Sequence, residues 1–247
     1  MERLSKKEVV RQLREQIYTW EGFKVAKTNE EKTDFSLGMM DSAFPYGRFP
    51  MGTVHEFISP TAATAVVSNG FISGILATLM KSGLYCLWVS TKRSLFPPAL
   101  HYFGIAPHQV IFVDVKRDKD ALWVMEQGLR CTALAAVVAE LSEINFTQSQ
   151  RLQLAVEQSK VTGFIHRKRP QRTSPLACVA RWHIKPIASQ ITDGLPGVGH
   201  PAWEVHLEKI RNGRPGKWHI GWQNNHFVPI YQNTTTKSIL FTKERYA

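Results

Sequence analysis

Cysteine is scarce in this chain and poorly placed for chemistry. Cys86, Cys131 and Cys178 lie far apart and none belongs to a CxxC pair. That excludes the common zinc frameworks and a disulfide scaffold, and leaves buried free thiols as the expectation. His183, His206 and His219 lack zinc-ligand spacing as well, so no metal is expected. Long hydrophobic runs are missing too. The longest candidate, Thr61 to Met80, is broken by Ser68, Asn69, Ser73 and Thr78, against the ~18–20 apolar residues of a membrane span. Met1 to Glu8 has no apolar signal-peptide core. The expectation is a cytoplasmic protein with no membrane association.

Acid is what the last third lacks. Residues 1–164 hold 18 Lys and Arg against 16 Asp and Glu. Residues 165–247 hold 13 against 4, so +9 of the net +11 sits there. Such asymmetry points to a polyanion or an acidic protein surface as partner.

The most informative absence lies in the stretch Phe49-Pro50-Met51-Gly52-Thr53-Val54-His55-Glu56-Phe57-Ile58-Ser59-Pro60-Thr61-Ala62-Ala63-Thr64-Ala65-Val66. A turn, a short buried strand, a tight loop and a long apolar helix is the layout of a phosphate-binding loop. Such a loop needs glycines for close backbone approach, a Lys for the β/γ charge and a Ser or Thr hydroxyl for Mg²⁺. Here Ser59 and Thr64 stand in the two glycine positions, Ala65 in the lysine position and Val66 in the hydroxyl position. The scaffold of a nucleotide site is present and its chemistry is not.

With 43% hydrophobic residues, the chain can build a full core. Ser5 to Trp20 has helical apolar spacing and a Ser5–Glu8 capping box, and a polar linker follows. Residues 1–34 therefore form an amphipathic helix and linker, 35–226 the main domain, and 227–247 a polar tail. Within the main domain, strands are expected at Val54–Ile58, Leu84–Val89, Val110–Val115, Leu134–Ala139 and Val161–Ile165. Helices are expected at Ala62–Lys81, Phe96–Phe103, Asp118–Arg130 and Thr147–Ser159, the last capped by Thr147 and Gln150. Short apolar strands alternating with helices give an α/β fold: a mostly parallel central sheet covered by helices. Ala177–Lys185, Ala202–Arg211 and Lys217–Gln223 have no helices between them and extend the sheet as antiparallel strands, joined at Asn212–Gly216 by a hairpin. Trp182, Trp203, Trp218 and Trp222 would pack this edge.

In order and spacing the chain resembles the RecA-like recombinase core over about residues 35 to 225. Within it, the nearest match is the degenerate branch of error-prone repair proteins called ImuA, also labelled SulA-like. The runs that carry the resemblance are Phe49 to Phe57, Lys81 to Val89, Arg130 to Glu140, Ser149 to Ala155, Gly199 to Trp203 and Arg211 to Trp218. The resemblance implies a nucleotide corner made of Ser59, Pro60, Thr61, Ala62, Ala63, Thr64, Ala65, Val66, Lys92 and Glu140. Lys92 then stands where an acid would follow the second strand, and Glu140 alone keeps the Walker B carboxylate. One carboxylate without the loop hydroxyl cannot hold Mg²⁺ on a triphosphate. The expectation is a protein with no cofactor and no catalysis.

Arg167, Lys168, Arg169 and Arg172 follow a strand end, where the recombinase core has a DNA-contacting loop. Arg211, Arg214 and Lys217 form a second basic cluster on the hairpin. Both suit phosphate contacts that carry no sequence information. The resemblance implies an accessory role in translesion synthesis during the SOS response to DNA damage. The partners it implies are an ImuB-type Y-family polymerase relative and an error-prone replicative-type polymerase, with DNA and a recombinase filament as further partners. The alternative, from the SulA-like label, is a cell-division inhibitor that binds a polymerising GTPase.

Overall fold

A computed structural model of the chain describes Glu8, Leu13, residues 36–189 and residues 199–230. The expected N-terminal helix lies outside the described residues apart from Glu8 and Leu13, both helical and exposed. The stretch 231–247 lies outside them as well.

Among the described residues nine strands form one sheet: β1 Val54–Ser59, β2 Tyr85–Ser90, β3 Val110–Asp114, β4 Leu134–Leu141, β5 Thr162–Lys168, β6 Ala180–Pro186, β7 Ala202–Ile210, β8 Gly216–Gln223 and β9 His226–Pro229. Their order is β3-β2-β4-β5-β1-β6-β7-β8-β9. The strands from β3 to β6 run parallel, and β7, β8 and β9 are antiparallel. β6 is thus the last parallel strand, paired with β1 in the register His55↔Ala180 to Phe57↔Trp182. β1 lies between β5 and β6 and all six of its residues are buried, the polar His55, Glu56 and Ser59 included.

Helix α1, Ala62–Leu79, covers one face. Phe71, Ile72, Ile75 and Leu76 pack with Trp88, Trp182, Trp203, Trp222 and Phe227. The approach is close at Gly74, where a Cβ would stand 2.7 Å from the Phe227 ring and 3.0 Å from Trp222. With its 3₁₀ extension, Ala62–Ser82 is long and apolar enough to cross a membrane. Phe71, Ile72, Ile75 and Leu76 are instead fully buried against the sheet, and three of the four polar residues that break the run, Ser68, Asn69 and Ser73, are buried there with them.

On the other face lie α2, Asp118–Leu129, and α3, Phe146–Ser159. They enclose Val54, Val89, Val137, Ala139, Leu141 and Ile165. The α3 cap falls two residues before the expected Thr147–Gln150 pair. Asn145 accepts from the Gln148 N–H, and the Gln148 side chain accepts from the Asn145 N–H, each at 2.9 Å. The ninth strand was not expected. Phe227 within it is buried, so the main domain extends through Pro229, beyond the expected boundary at residue 226.

Candidate functional site

The C-terminal ends of β1, β2, β4 and β5 meet at one edge of the sheet, the usual place for ligands in parallel α/β folds. β1 ends at Ser59 and α1 begins at Ala62, so Pro60 and Thr61 alone connect them. Nothing as wide as a phosphate cradle forms. Thr61 caps the helix: its hydroxyl accepts from the Thr64 N–H at 3.1 Å, while Thr64 Oγ1 accepts from the Thr61 N–H at 3.0 Å. The Ala65 N–H already donates to Thr61 O. Ala65 is buried, and Val66 is 59% exposed on the outside of the helix. Of the first four helical N–H groups, those of Ala62 and Ala63 remain at the exposed end.

Glu140 sits next to the end of β4 and is fully buried. Its carboxylate accepts from Asn69 Nδ2 on α1 at 2.9 Å, Ser90 Oγ on β2 at 3.0 Å, Ser94 Oγ at 3.3 Å and Lys168 Nζ on β5 at 2.6 Å. The same ammonium donates to the carbonyl of Lys92 at 2.5 Å. Burial alone would raise the Glu140 carboxyl. The charge of Lys168, with the hydrogen bonds from Lys168 and Asn69, more than offsets that and holds it below the ordinary carboxylate range. Beside it, Ser59 Oγ lies 2.9 Å from both His166 Nε2 and Ser68 Oγ. Burial lowers His166 to about 4, so the ring is neutral at physiological pH. A serine and a histidine at this distance have the spacing of a nucleophile and its base. Both side chains, however, are completely covered.

The charge of the corner is therefore balanced from within. Glu140 is met by a lysine of the chain itself, where a nucleotide site would offer the carboxylate to a metal ion. The Lys92 side chain points outward, exposed, while its carbonyl helps hold the Lys168 ammonium.

The basic run lies differently from the loop expected of it. β5 continues through Lys168. Arg167 is fully buried: Nη1 donates to Glu56 at 3.0 Å and Nη2 donates to Glu143 at 3.3 Å and to the Arg172 carbonyl at 2.5 Å. Glu56 in turn accepts from Arg181 Nε at 2.7 Å, and Arg181 reaches Glu208. Arg167 and Lys168 are thus held by acids inside the fold and do not face a polyanion. Arg169 and Arg172 are exposed. The connection that carries them is tied down by bonds from the Gln171 N–H to Glu143, from Arg181 to the Ser174 carbonyl, and from the Ala177 N–H to Ser149.

Arg211, Arg214 and Lys217 are exposed but lie at the other end of the sheet. β7 finishes beside the start of β6, with Ala180 opposite Ile210, and the Arg214 N–H bonds to the Ala43 carbonyl. The two basic clusters do not form one surface. Asn69, Ser90, Ser94, His166, Glu56 and Arg181 were not singled out from the sequence. The available signals were Glu56 inside an apolar strand and the Ser68–Asn69 pair inside an apolar helix, since buried polar groups require partners.

No protein-family model matches the chain. Two curated relatives do: Protein ImuA of Caulobacter vibrioides strain NA1000 / CB15N, and Protein ImuA of strain ATCC 19089 / CIP 103742 / CB 15 of the same species. Each is 31% identical over 196 residues, covering 74% of this chain and 80% of the relative. With that identity across four-fifths of the relatives' length, and with an α/β sheet that is parallel through β6 and antiparallel beyond it, this chain belongs to the ImuA family.

Proposed function

We propose that this protein is a non-catalytic accessory factor of error-prone DNA synthesis in the DNA-damage response. Family membership supports the process. The observation that carries the non-catalytic reading is the Glu140–Lys168 pair at 2.6 Å. It places an internal cation on the one carboxylate that could serve a nucleotide-bound metal, beside a two-residue turn too short to wrap phosphates. In this reading the scaffold works by binding. It bridges an ImuB-type Y-family polymerase relative and an error-prone replicative-type polymerase, and Arg169 and Arg172, the exposed cations at the C-terminal edge of the sheet, touch the DNA backbone.

The test is reconstitution of the purified chain with those two polymerase-type partners, with and without ATP. Complex formation indifferent to ATP, with no ATP turnover by the chain, is the expected result. ATP turnover that disappears in Glu140→Gln would overturn the non-catalytic reading. Failure of the chain to bind either partner would overturn the bridging role.

A further inference from the structure

The turn that precedes β1 and the hairpin between β7 and β8 are built onto each other. In the turn, Phe44, Phe49 and Pro50 are buried and leave Tyr46, Gly47 and Arg48 exposed as a tip. Tyr46 is 55% exposed and sits at φ 58°, the left-handed region that a non-glycine residue enters only at a cost. Strain of this kind collects at functional sites. The hairpin meets the turn at Ala43. The Arg214 N–H donates to the Ala43 carbonyl at 2.8 Å, and a Cβ on Gly213 would stand 2.3 Å from the same oxygen. Turn and hairpin therefore form one fixed surface.

Three guanidinium groups belong to this surface. Arg48, Arg211 and Arg214 are exposed, and none of them forms an ion pair among the described residues. The acids of the adjoining elements are already engaged. Asp41 accepts from Ser36 Oγ at 2.6 Å and from the Leu37 N–H at 2.9 Å. Glu208 is held by Arg181 and His183. Glu204 pairs with Lys185, and Lys217 acts on it as well, so Lys217 is not counted with the three arginines. Toward the opposite end of the sheet, the outward face of β7 carries Glu204, His206 and Glu208. No row of free cations runs from the hairpin to Arg169 and Arg172. Nucleic-acid affinity grows with the number of phosphates neutralised, and three guanidiniums in one place match a short run of carboxylates better.

We propose that the Tyr46 turn and the hairpin carrying Arg211 and Arg214 bind a short acidic segment of a partner protein, one that contains an aromatic residue. Its carboxylates accept from the forked N–H donors of Arg48, Arg211 and Arg214, and its aromatic side chain packs on the Tyr46 ring. A second copy of this chain fits less well, because two chains of net charge +11 would bring the same arginines together. The inference is independent of the Glu140 corner and of the DNA contact proposed for Arg169 and Arg172.

The test uses the full chain and capped fluorescent peptides in which glutamate alternates with glycine around a central phenylalanine. Two control peptides carry serine for glutamate, or alanine for phenylalanine, and a single-stranded oligonucleotide is the third probe. By fluorescence polarisation the glutamate–phenylalanine peptide is expected to bind best and the serine peptide not at all. Arg48→Ala, Arg211→Ala and Arg214→Ala should each weaken it by about threefold with an unchanged Tm, since the side chains are exposed and alanine keeps the Arg214 N–H. Arg169→Ala with Arg172→Ala should leave this affinity unchanged. Tyr46→Gly, which suits a left-handed turn, should remove the advantage of phenylalanine over alanine. No binding of the glutamate peptide, equal binding of the serine peptide, wild-type affinity in the triple arginine variant, or a phenylalanine advantage that survives Tyr46→Gly would overturn the proposal. So would an oligonucleotide that binds more tightly than the peptide and loses that affinity in the triple variant, since the occupant would then be a nucleic acid.

Discussion

Replacing Lys168 with Met keeps most of the side-chain volume and removes the ammonium that neutralises Glu140. In the wild type, Glu140 is fully buried and Lys168 retains 16% of its side-chain exposure. Breaking a buried pair by removing one partner costs roughly 3–5 kcal/mol. The partial exposure of Lys168 and the remaining donors from Asn69, Ser90 and Ser94 favour the lower end, about 3 kcal/mol at neutral pH. The pH dependence should also change sign. In the wild type the Glu140 carboxyl is held below its ordinary value of 4.5. It therefore contributes stability that is present above that value and lost as the pH falls below it. In Lys168→Met, burial dominates and raises the carboxyl, so the variant is weakest at neutral pH and recovers as acid protonates Glu140. Urea denaturation at neutral and mildly acidic pH measures both effects. Lys168→Met combined with Glu140→Gln should be more stable than Lys168→Met alone, because no uncompensated charge is left in the core. A loss below about 1 kcal/mol, typical of a surface ion pair, with no rescue in the double variant, would refute the closed corner.

Three further outcomes follow from the same geometry. Glu56→Gln leaves Arg167 and Arg181 without their shared carboxylate and should cost about 3–5 kcal/mol in urea denaturation; a change within experimental error would mean that Arg167 is not held by this pair. His55 and His166 are both lowered by burial from 6.5 to about 4. Each contributes stability that is fully present above pH 6.5 and lost as the pH falls through 4, on the order of 3 kcal/mol, and His166→Asn should flatten that slope in a pH series of urea midpoints. Arg169→Ala with Arg172→Ala should lower the salt dependence of single-stranded DNA binding by about 1.4 in slope without changing Tm, whereas Arg167→Ala should lower Tm; a Tm loss in the first variant, or an unchanged slope, would remove these two arginines as phosphate contacts.

Local sequence decided the order of elements. Strands β2, β3 and β4 each carry a short apolar run, Cys86–Val89, Val110–Val113 and Leu134–Ala139, which is recognisable without tertiary information. The alternation Trp203, Glu204, Val205, His206, Leu207 showed one face of β7 turned to the core, as its burial confirms. That no lysine or glycine stands between Ser59 and Val66 was equally legible, because composition is a local fact. The position of the α3 cap was not, since Asn145–Gln148 and Thr147–Gln150 have the same spacing and packing chose between them. β9 was missed because four residues bear little signal until Phe227 meets Gly74 and Trp222 across the sheet.

The fate of the charges was decided only by the tertiary structure. Arg167-Lys168-Arg169 reads as one exposed basic run. In the fold, Arg167 and Lys168 continue β5 inward, and Arg169, at φ 51°, turns the chain out to solvent. The acids that allow this are Glu56, 111 residues from Arg167, and Glu140, 28 residues from Lys168. A charged side chain enters a core only where an opposite charge awaits it. Sequence gives the sign of each charge; which two meet is set by the strand order that places β5 between β4 and β1.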